Sequence, residues 1–488
     1  MRFAHRLIAA TTLIAAATAP ALALSGPAVA APAAASPGAA AHRAAAAPAA
    51  GQRSTAVPGG TQVWAQRFGG PYISATASSV ATNPSRTVVY VTGITTKKAT
   101  GLRDEVTVAY NAATGRQLWL ARYQGMGRHP RGDTGVPAIT VSPDGATVYV
   151  AGDRARGTGH NDYLVLAYNA ATGAQLWATS PLADASMAQY HPVAVSPDSR
   201  TVYVTGTQDF VGSAAFKSYD TIALSAATGA TVWDSQRATR PHVGHTLTSI
   251  AVSPDGSRVF IAGSSGIICL DPANGEQLWM LIFKQAYQRL HLSLAVSPDS
   301  STLYVTGGSM APGSVQHYWT AAIVAANGFK MWQATYHGPV TSSATGSTAI
   351  ALSPDGSAVY VTGSAGQASG LNEYATIGYD AATGHQLWQA TYSTPKVDDN
   401  AAGLAVSPDG SAVYVTGTSI ASYNTPADYA TVAYNAGTGA QLWAARYAVT
   451  GAQNNAAGVV ASGGNAIVTG TSGPYGGLRE FATVAYQG

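Results

Sequence analysis

Asn111-Ala112-Ala113-Thr114-Gly115-Arg116-Gln117-Leu118-Trp119 is the stretch on which the fold turns. Asn-Ala-Ala-Thr-Gly is a turn in which glycine supplies a positive φ before the chain enters a strand. The tryptophan that ends it recurs. Trp64, Trp119, Trp177, Trp233, Trp279, Trp332, Trp388 and Trp443 are spaced by 55, 58, 56, 46, 53, 56 and 55 residues. Eight of the nine tryptophans therefore sit on one period, which marks an internal repeat.

Each interval carries three more signatures. The first is an apolar run ending in a turn, as in Ile139 to Gly145, with Ser-Pro-Asp again at 196–198, 253–255, 297–299, 353–355 and 407–409. Proline fixes φ at the second position of such a turn. The second is a β-branched run such as Val359-Tyr360-Val361-Thr362-Gly363, and the third an alternating run such as Asp428 to Asn435. These are strands of five to eight residues bounded by Gly, Pro, Asn or Asp. One unit is a meander of four antiparallel strands, A to D, with the tryptophan on D. No helical period interrupts them.

Tandem four-stranded units of this length predict an all-β fold, an eight-bladed β-propeller of four-stranded antiparallel blades. Eight A-B-C sets are present, the first starting near Ser79. The first D strand, Gln62 to Phe68, precedes them all. Closure is expected by pairing this N-terminal D strand with the C-terminal A-B-C set, which removes an open sheet edge. Residues 61–488 then form one ring, expected to be a monomer, although the length suggests about three domains.

Outside the ring, Arg2, His5 and Arg6 precede an apolar, Ala-rich run from Leu7 to Leu24, and Ala28-Val29-Ala30 fits a signal-peptidase site. Residues 1–30 are read as a signal peptide cut near Ala30, implying secretion. Residues 31–60, rich in Ala, Pro, Gly and Ser, are read as a disordered linker. Charged residues are 10% of the chain, with 26 Lys and Arg against 23 Asp and Glu. That balance excludes a dedicated nucleic-acid binder, and 46% hydrophobic residues exclude a disordered chain. One cysteine, Cys269, excludes an intrachain disulfide and any multi-cysteine metal site.

The docking stretch recurs at Asn169 to Trp177, Ser225 to Trp233, Asp271 to Trp279, Asp380 to Trp388 and Asn435 to Trp443, with a weaker copy ending at Trp332. It resembles the tryptophan-docking motif of the quinoprotein-dehydrogenase-like (PQQ-like) propellers. The Ser-Pro-Asp-Gly and Val-Tyr-Val-Thr-Gly stretches are similar to secreted bacterial repeats of the YVTN and SBBP kinds. The resemblance implies that the eight periodic tryptophans pack between neighbouring blades. It implies no single activity, because such repeats occur in quinone-dependent oxidoreductases and in the non-catalytic outer-membrane assembly propeller.

The A-to-B and C-to-D turns are short and regular. The B-to-C and D-to-A connections are long, differ between blades and share the opposite face, where function is expected. Eight histidines (129, 160, 191, 242, 245, 291, 317 and 337) fall in or beside these connections; His385 falls in a regular turn. Residues entering the A strands should ring the channel mouth: Gln189, His191, His245, His291, Asp399, Asn400, Asn454 and Asn455. His with Asp or Asn suits a divalent metal or a polar sugar. Off-period Trp319 is the one indole free of the repeat. Acidic residues opening the C strands (Asp104, Asp162, Glu373, Asp428 and Glu480) are expected to accept hydrogen bonds from loop amides. Arg131-Gly132-Asp133 is an isolated tripeptide match, and Cys269 reads as an inert buried thiol.

No catalytic set, metal or cofactor is assigned. A single cysteine cannot supply the paired cysteines beside the quinone in many such dehydrogenases, and no Cys-x-x-Cys-His haem site exists. The favoured reading is a secreted non-catalytic scaffold that binds a glycan, protein or cell-envelope component through its long-loop face. The alternative is a quinone- or metal-dependent oxidoreductase, or a lactonase or lyase, with its site at the channel mouth.

Overall fold

In a computed structural model the described residues are 58–70, 73–124, 126, 137–155, 161–181, 192–209, 217–238, 247–264, 266–283, 288–310, 316–339, 345–395, 397–420, 426–474 and 476–488. They form eight four-stranded antiparallel sheets with meander order. Blade 1 comprises Ile73–Thr82, Val88–Lys97, Arg103–Asn111 and Gln117–Gln124, so its strand A starts earlier than Ser79. Blades 2 to 7 span 138–179, 193–238, 247–282, 288–336, 346–392 and 398–447. Blade 8 joins Ala452–Ser462, Asn465–Pro474 and Glu480–Gln487 to Gln62–Phe68. Its register, Phe68 against Phe481 and Ala65 against Val484, is the expected ring closure. The proposed signal segment and nearly all of the proposed linker lie outside the described residues.

The repeated turn and the repeated tryptophan make one joint. Gly115, Gly173, Gly229, Gly275, Gly328, Gly384 and Gly439 all have φ between 70° and 77°. Each carries the previous blade's indole: a Cβ on Gly115 would lie 2.6 Å from Trp64 Cδ2. Glycine is therefore required twice over, by the left-handed backbone and by the ring laid on it. The indole N–H then donates to a carbonyl of the same turn, Trp64 to Ala112 (3.0 Å), Trp119 to Ala170 (2.9 Å) and Trp388 to Ala436 (2.8 Å). Trp177, Trp233, Trp279 and Trp332 do the same to Ala226, Pro272, Ala325 and Ala381. Tyrosines flank the indoles, as Tyr360 and Tyr434 flank Trp388 at 5.7 and 6.4 Å. At about 150–250 Å² buried per indole and about 25 cal/mol per Å², each joint contributes roughly 4–6 kcal/mol before entropy is charged.

The eighth joint differs. Its turn is assembled from two segments: Gly60 N–H donates to Gln487 O, and Gln487 N–H to Thr61 O, both at 2.8 Å. These bonds reproduce Gly115 to Asn111 and Asn111 to Arg116 in blade 1. Gly60 has φ 78° and lies under Trp443, so the ring takes in residues from Pro58 onward. The Trp443 indole N–H is buried there without an acceptor.

Inside the blades, β-branched strands B and C bury on both faces, as along the middle of the Val88–Lys97 and Arg103–Asn111 pair. Threonines facing each other across B and C share hydroxyl bonds, for example Thr362 with Thr376 and Thr469 with Thr483, both 2.9 Å. Tyrosines of strand C bridge blades: Tyr318, Tyr374 and Tyr429 donate to the carbonyls of Ala375, Ala430 and Ala482.

Candidate functional site

The short-turn face is uniform. In six Ser-Pro-Asp turns the serine hydroxyl donates to the aspartate two residues on, as Ser353 does to Asp355 at 2.5 Å. The serine oxygen accepts the backbone N–H that opens strand B, as from Ala358 at 2.9 Å. These bonds hold the carboxyls of Asp198, Asp299, Asp355 and Asp409 below the usual range. The opposite face varies: one D-to-A connection runs from Gln124 to Ala138, another only from Tyr447 to Ala452.

On that face, the entry to blade 7 gathers a polar cluster among the described residues. Asp399 has no exposed surface. Its Oδ2 accepts the Thr394 N–H at 2.6 Å, and its Oδ1 accepts the Ser419 hydroxyl. Arg446 donates from Nη2 to Ser419 Oγ (2.6 Å) and from Nη1 to Thr394 Oγ1 (3.0 Å), and its Nη2 lies 3.4 Å from Asp428 Oδ2. Burial raises the Asp399 carboxyl, and the Ser419 and Thr394 bonds with Arg446 pull it back. Beside it, Asp398 accepts the Asn372 N–H (2.9 Å) and Asn400 Oδ1 accepts the Asn372 amide (3.1 Å).

Blade 8 repeats this place with an amide. Asn454 pairs with Ser472 as Asp399 pairs with Ser419. Its Nδ2 donates to Ala427 O (2.8 Å) and Ala452 O (3.3 Å), and its Oδ1 accepts Ser472 Oγ at 2.6 Å. Half-buried Asn400 and Asn455 follow these anchors along the strands. Strands A of blades 7 and 8 run close together: a Cβ on Gly403 would lie 3.3 Å from Gly458 Cα. Asp399, Asn400, Asn454 and Asn455 thus occupy adjoining strand entries.

The other described candidates, His291 and Trp319, lie in blade 5. His291 lies on strand A of blade 5 in an irregular stretch between Leu290 and Ser293. Its φ is 51°, whereas the other non-glycine residues with positive φ among those described, Arg86, Ser199 and Ser300, lie in A-to-B turns. Burial pushes its imidazole down. Trp319, 5% exposed, packs in the core between blades 4 and 5, edge-on to Phe283 at 5.6 Å, with its N–H toward Gln333 Oε1 at 3.4 Å. Cys269 shares that core, and burial pushes its thiol up to about 12. Gln189, His191, His245, His242 and Arg131 to Asp133 lie outside the described residues.

The acidic residues opening the C strands meet side chains of neighbouring segments. Glu480 meets Arg67 (2.7 Å), Asp162 meets Arg154 (3.3 Å) and Asp104 meets Arg122 and Lys97 (3.6 Å each), while the side-chain amide of Gln367, in the B-to-C loop, donates to Glu373 (3.0 Å). Strands B and D flank C, so long side chains from them reach Asp104, Asp162 and Glu480 directly.

Sequence reasoning missed Glu105. It is fully buried between blades 1 and 2 and accepts the hydroxyls of Thr92 (2.7 Å), Thr107 (2.5 Å) and Tyr168 (2.8 Å). Burial raises its carboxyl above the usual range. Aligning the C strands would have shown it, because Tyr163, Tyr318, Tyr374, Tyr429 and Phe481 hold the same register.

A divalent cation does not fit Asp399 and Asn454. Asp399 and Asn454 turn their polar atoms into bonds within the protein, and among the described residues no three His, Cys, Asp or Glu converge to hold a metal.

The family profile of the outer membrane protein assembly factor BamB matches residues 52–214 and 217–469. Among solved structures, the chain is similar to BamB from Moraxella catarrhalis at 15% identity, over 88% of this chain and 99% of that one, with a TM-score of 0.48. It is also similar to the quinohemoprotein alcohol dehydrogenase ADHIIG from Pseudomonas putida HK5, at 15% identity over 88% and 76% of the two chains, with a TM-score of 0.52. At such identity the second likeness shows the fold alone. No curated protein sequence matches the chain.

Proposed function

The chain belongs to the family of the outer membrane protein assembly factor BamB, and from that premise we propose a secreted, non-catalytic scaffold that binds a protein, glycan or other cell-envelope component through its long-loop face. One observation supports the reading most. The polar groups at the blade 7 and 8 entries brace the fold: Asp399 holds Thr394 and Ser419, and Asn454 ties Ala427, Ala452 and Ser472 together. Groups saturated in this way stiffen the connections that a binding face needs and are poorly placed to exchange protons with a substrate. Beside them, half-buried Asn400 and Asn455 carry amides suited to carbonyl and hydroxyl partners.

Secretion through residues 1–30 belongs to the same proposal. N-terminal sequencing of secreted material should begin near Ala31, and retention of the intact N-terminus inside the cell would count against it. The binding reading is tested with cell-envelope fractions on an immobilised ring. Asn400→Ala with Asn455→Ala should weaken retention about tenfold, whereas Glu276→Ala on the short-turn face should leave it unchanged. Robust dye reduction with added quinone and calcium would sink the proposal.

A further inference from the structure

We propose that His317 and His337 form a two-imidazole site for a late divalent transition-metal ion such as Zn2+, Ni2+ or Cu2+. His317 opens strand C of blade 5 (His317–Val324), and His337 directly follows strand D (Lys330–Tyr336). Tyr318 pairs with Tyr336, so the antiparallel register sets the preceding and following residues opposite each other. The two imidazole centres lie 5.1 Å apart with a 42° angle between the rings.

That separation is the chemically telling number. With metal–nitrogen bonds of about 2.0–2.1 Å and a tetrahedral angle, two imidazoles on one ion have centres about 5 Å apart. Binding has each ring present one nitrogen to the shared ion. Cross-strand neighbours are also held at a fixed spacing, so little ordering remains to be supplied on binding. The frame beneath is stiff. Tyr318 is fully buried and packs edge-on against Tyr336 at 5.1 Å. Just past His337, Gly338 turns with φ 71° close to Thr345 and Ala365.

His337 is exposed and His317 half-buried, so solvent has access to the pair from the long-loop side. Two protein ligands leave positions for water or for a donor from a bound partner. Neutral imidazole selects zinc, nickel and copper over calcium and magnesium, which take oxygen ligands.

The test is titration of the full chain with ZnCl2, and separately NiCl2, near pH 7.5 in a non-coordinating buffer. One ion per chain is expected, with micromolar affinity. His317→Asn and His337→Asn should each weaken binding at least tenfold, and combining them should add little, because either change already breaks the chelate. His385→Asn, in a regular turn, should change nothing. Zinc should raise the melting temperature of the wild-type chain and leave that of either variant in place, while melting without metal confirms that both variants are folded. Absence of saturable binding, or binding that keeps its affinity in both single variants, would overturn the assignment.

Discussion

Trp388→Phe and Trp443→Phe make a matched pair of perturbations. Both indoles sit between two tyrosines, at 5.7 and 6.4 Å for Trp388 and at 5.9 and 6.1 Å for Trp443. Both rest on a glycine of the next joint, Gly439 and Gly60. Replacement by phenylalanine removes the same atoms in each, so the losses of packing largely cancel. What differs is the hydrogen bond. Trp388 donates to Ala436 O at 2.8 Å, whereas the Trp443 N–H has no acceptor. Losing a made bond and orphaning its acceptor costs about 1–2 kcal/mol, while deleting an unmet buried N–H costs nothing and relieves a penalty. Trp388→Phe should therefore be the more destabilising by about 1–2 kcal/mol. Equilibrium urea unfolding followed by circular dichroism resolves this difference from midpoint shifts at equal slope. Calorimetry is a blunter check, since a ring of this length loses only about 1 °C per kcal/mol. Equal destabilisation, or a larger loss for Trp443→Phe, would refute the account of the eighth joint.

Other outcomes follow from the same contacts. Gly115→Ala places a Cβ at positive φ against the Trp64 ring and should cost about 2–4 kcal/mol in urea unfolding. Because burial raises the Glu105 carboxyl, its contribution to stability is present at acid pH and is lost as pH rises through the raised value. Glu105→Gln, which keeps acceptor and donor capacity beside Thr92, Thr107 and Tyr168, should raise the melting temperature more at pH 8 than at pH 5. The Ser-Pro-Asp aspartates have the opposite sign. Their carboxyls are lowered, so their contribution holds above the ordinary aspartate range of about 3.9 and is lost as pH falls below it. Ser353→Ala should move the Asp355 titration upward in a carboxyl NMR experiment. Removing residues 58–68 should expose the edge of Glu480–Gln487 and cause association visible by light scattering.

Blade number and ring closure were legible because they rest on period and local chemistry. A tryptophan every 46 to 58 residues and a glycine four positions after the turn's first residue are strict demands of one joint, and strict demands leave readable traces. The site was legible only in part. Asp399 and Asn454 were found from their place at strand entries, but their roles depend on Ser419, Ser472 and Arg446, which are distant in sequence and carry no pattern of their own. Trp319 was singled out for being off-period, yet strand C of blade 5 points it into the core beside Phe283. The partners of the C-strand carboxylates were missed for a related reason. Alternation gives the face of a strand, while the reach of an arginine from the neighbouring strand depends on register.

The split joint of blade 8 also sets an orientation. Pro58 to Thr61 lie at a C-to-D turn, on the face of short, regular turns. Pro58, the first described residue, lies on that side. If the ring is moored to a surface by that stretch, its long-loop face looks away from the mooring, like a dish held by its back. A binding partner would then approach Asn400, Asn455 and the His317–His337 pair from the side opposite Pro58.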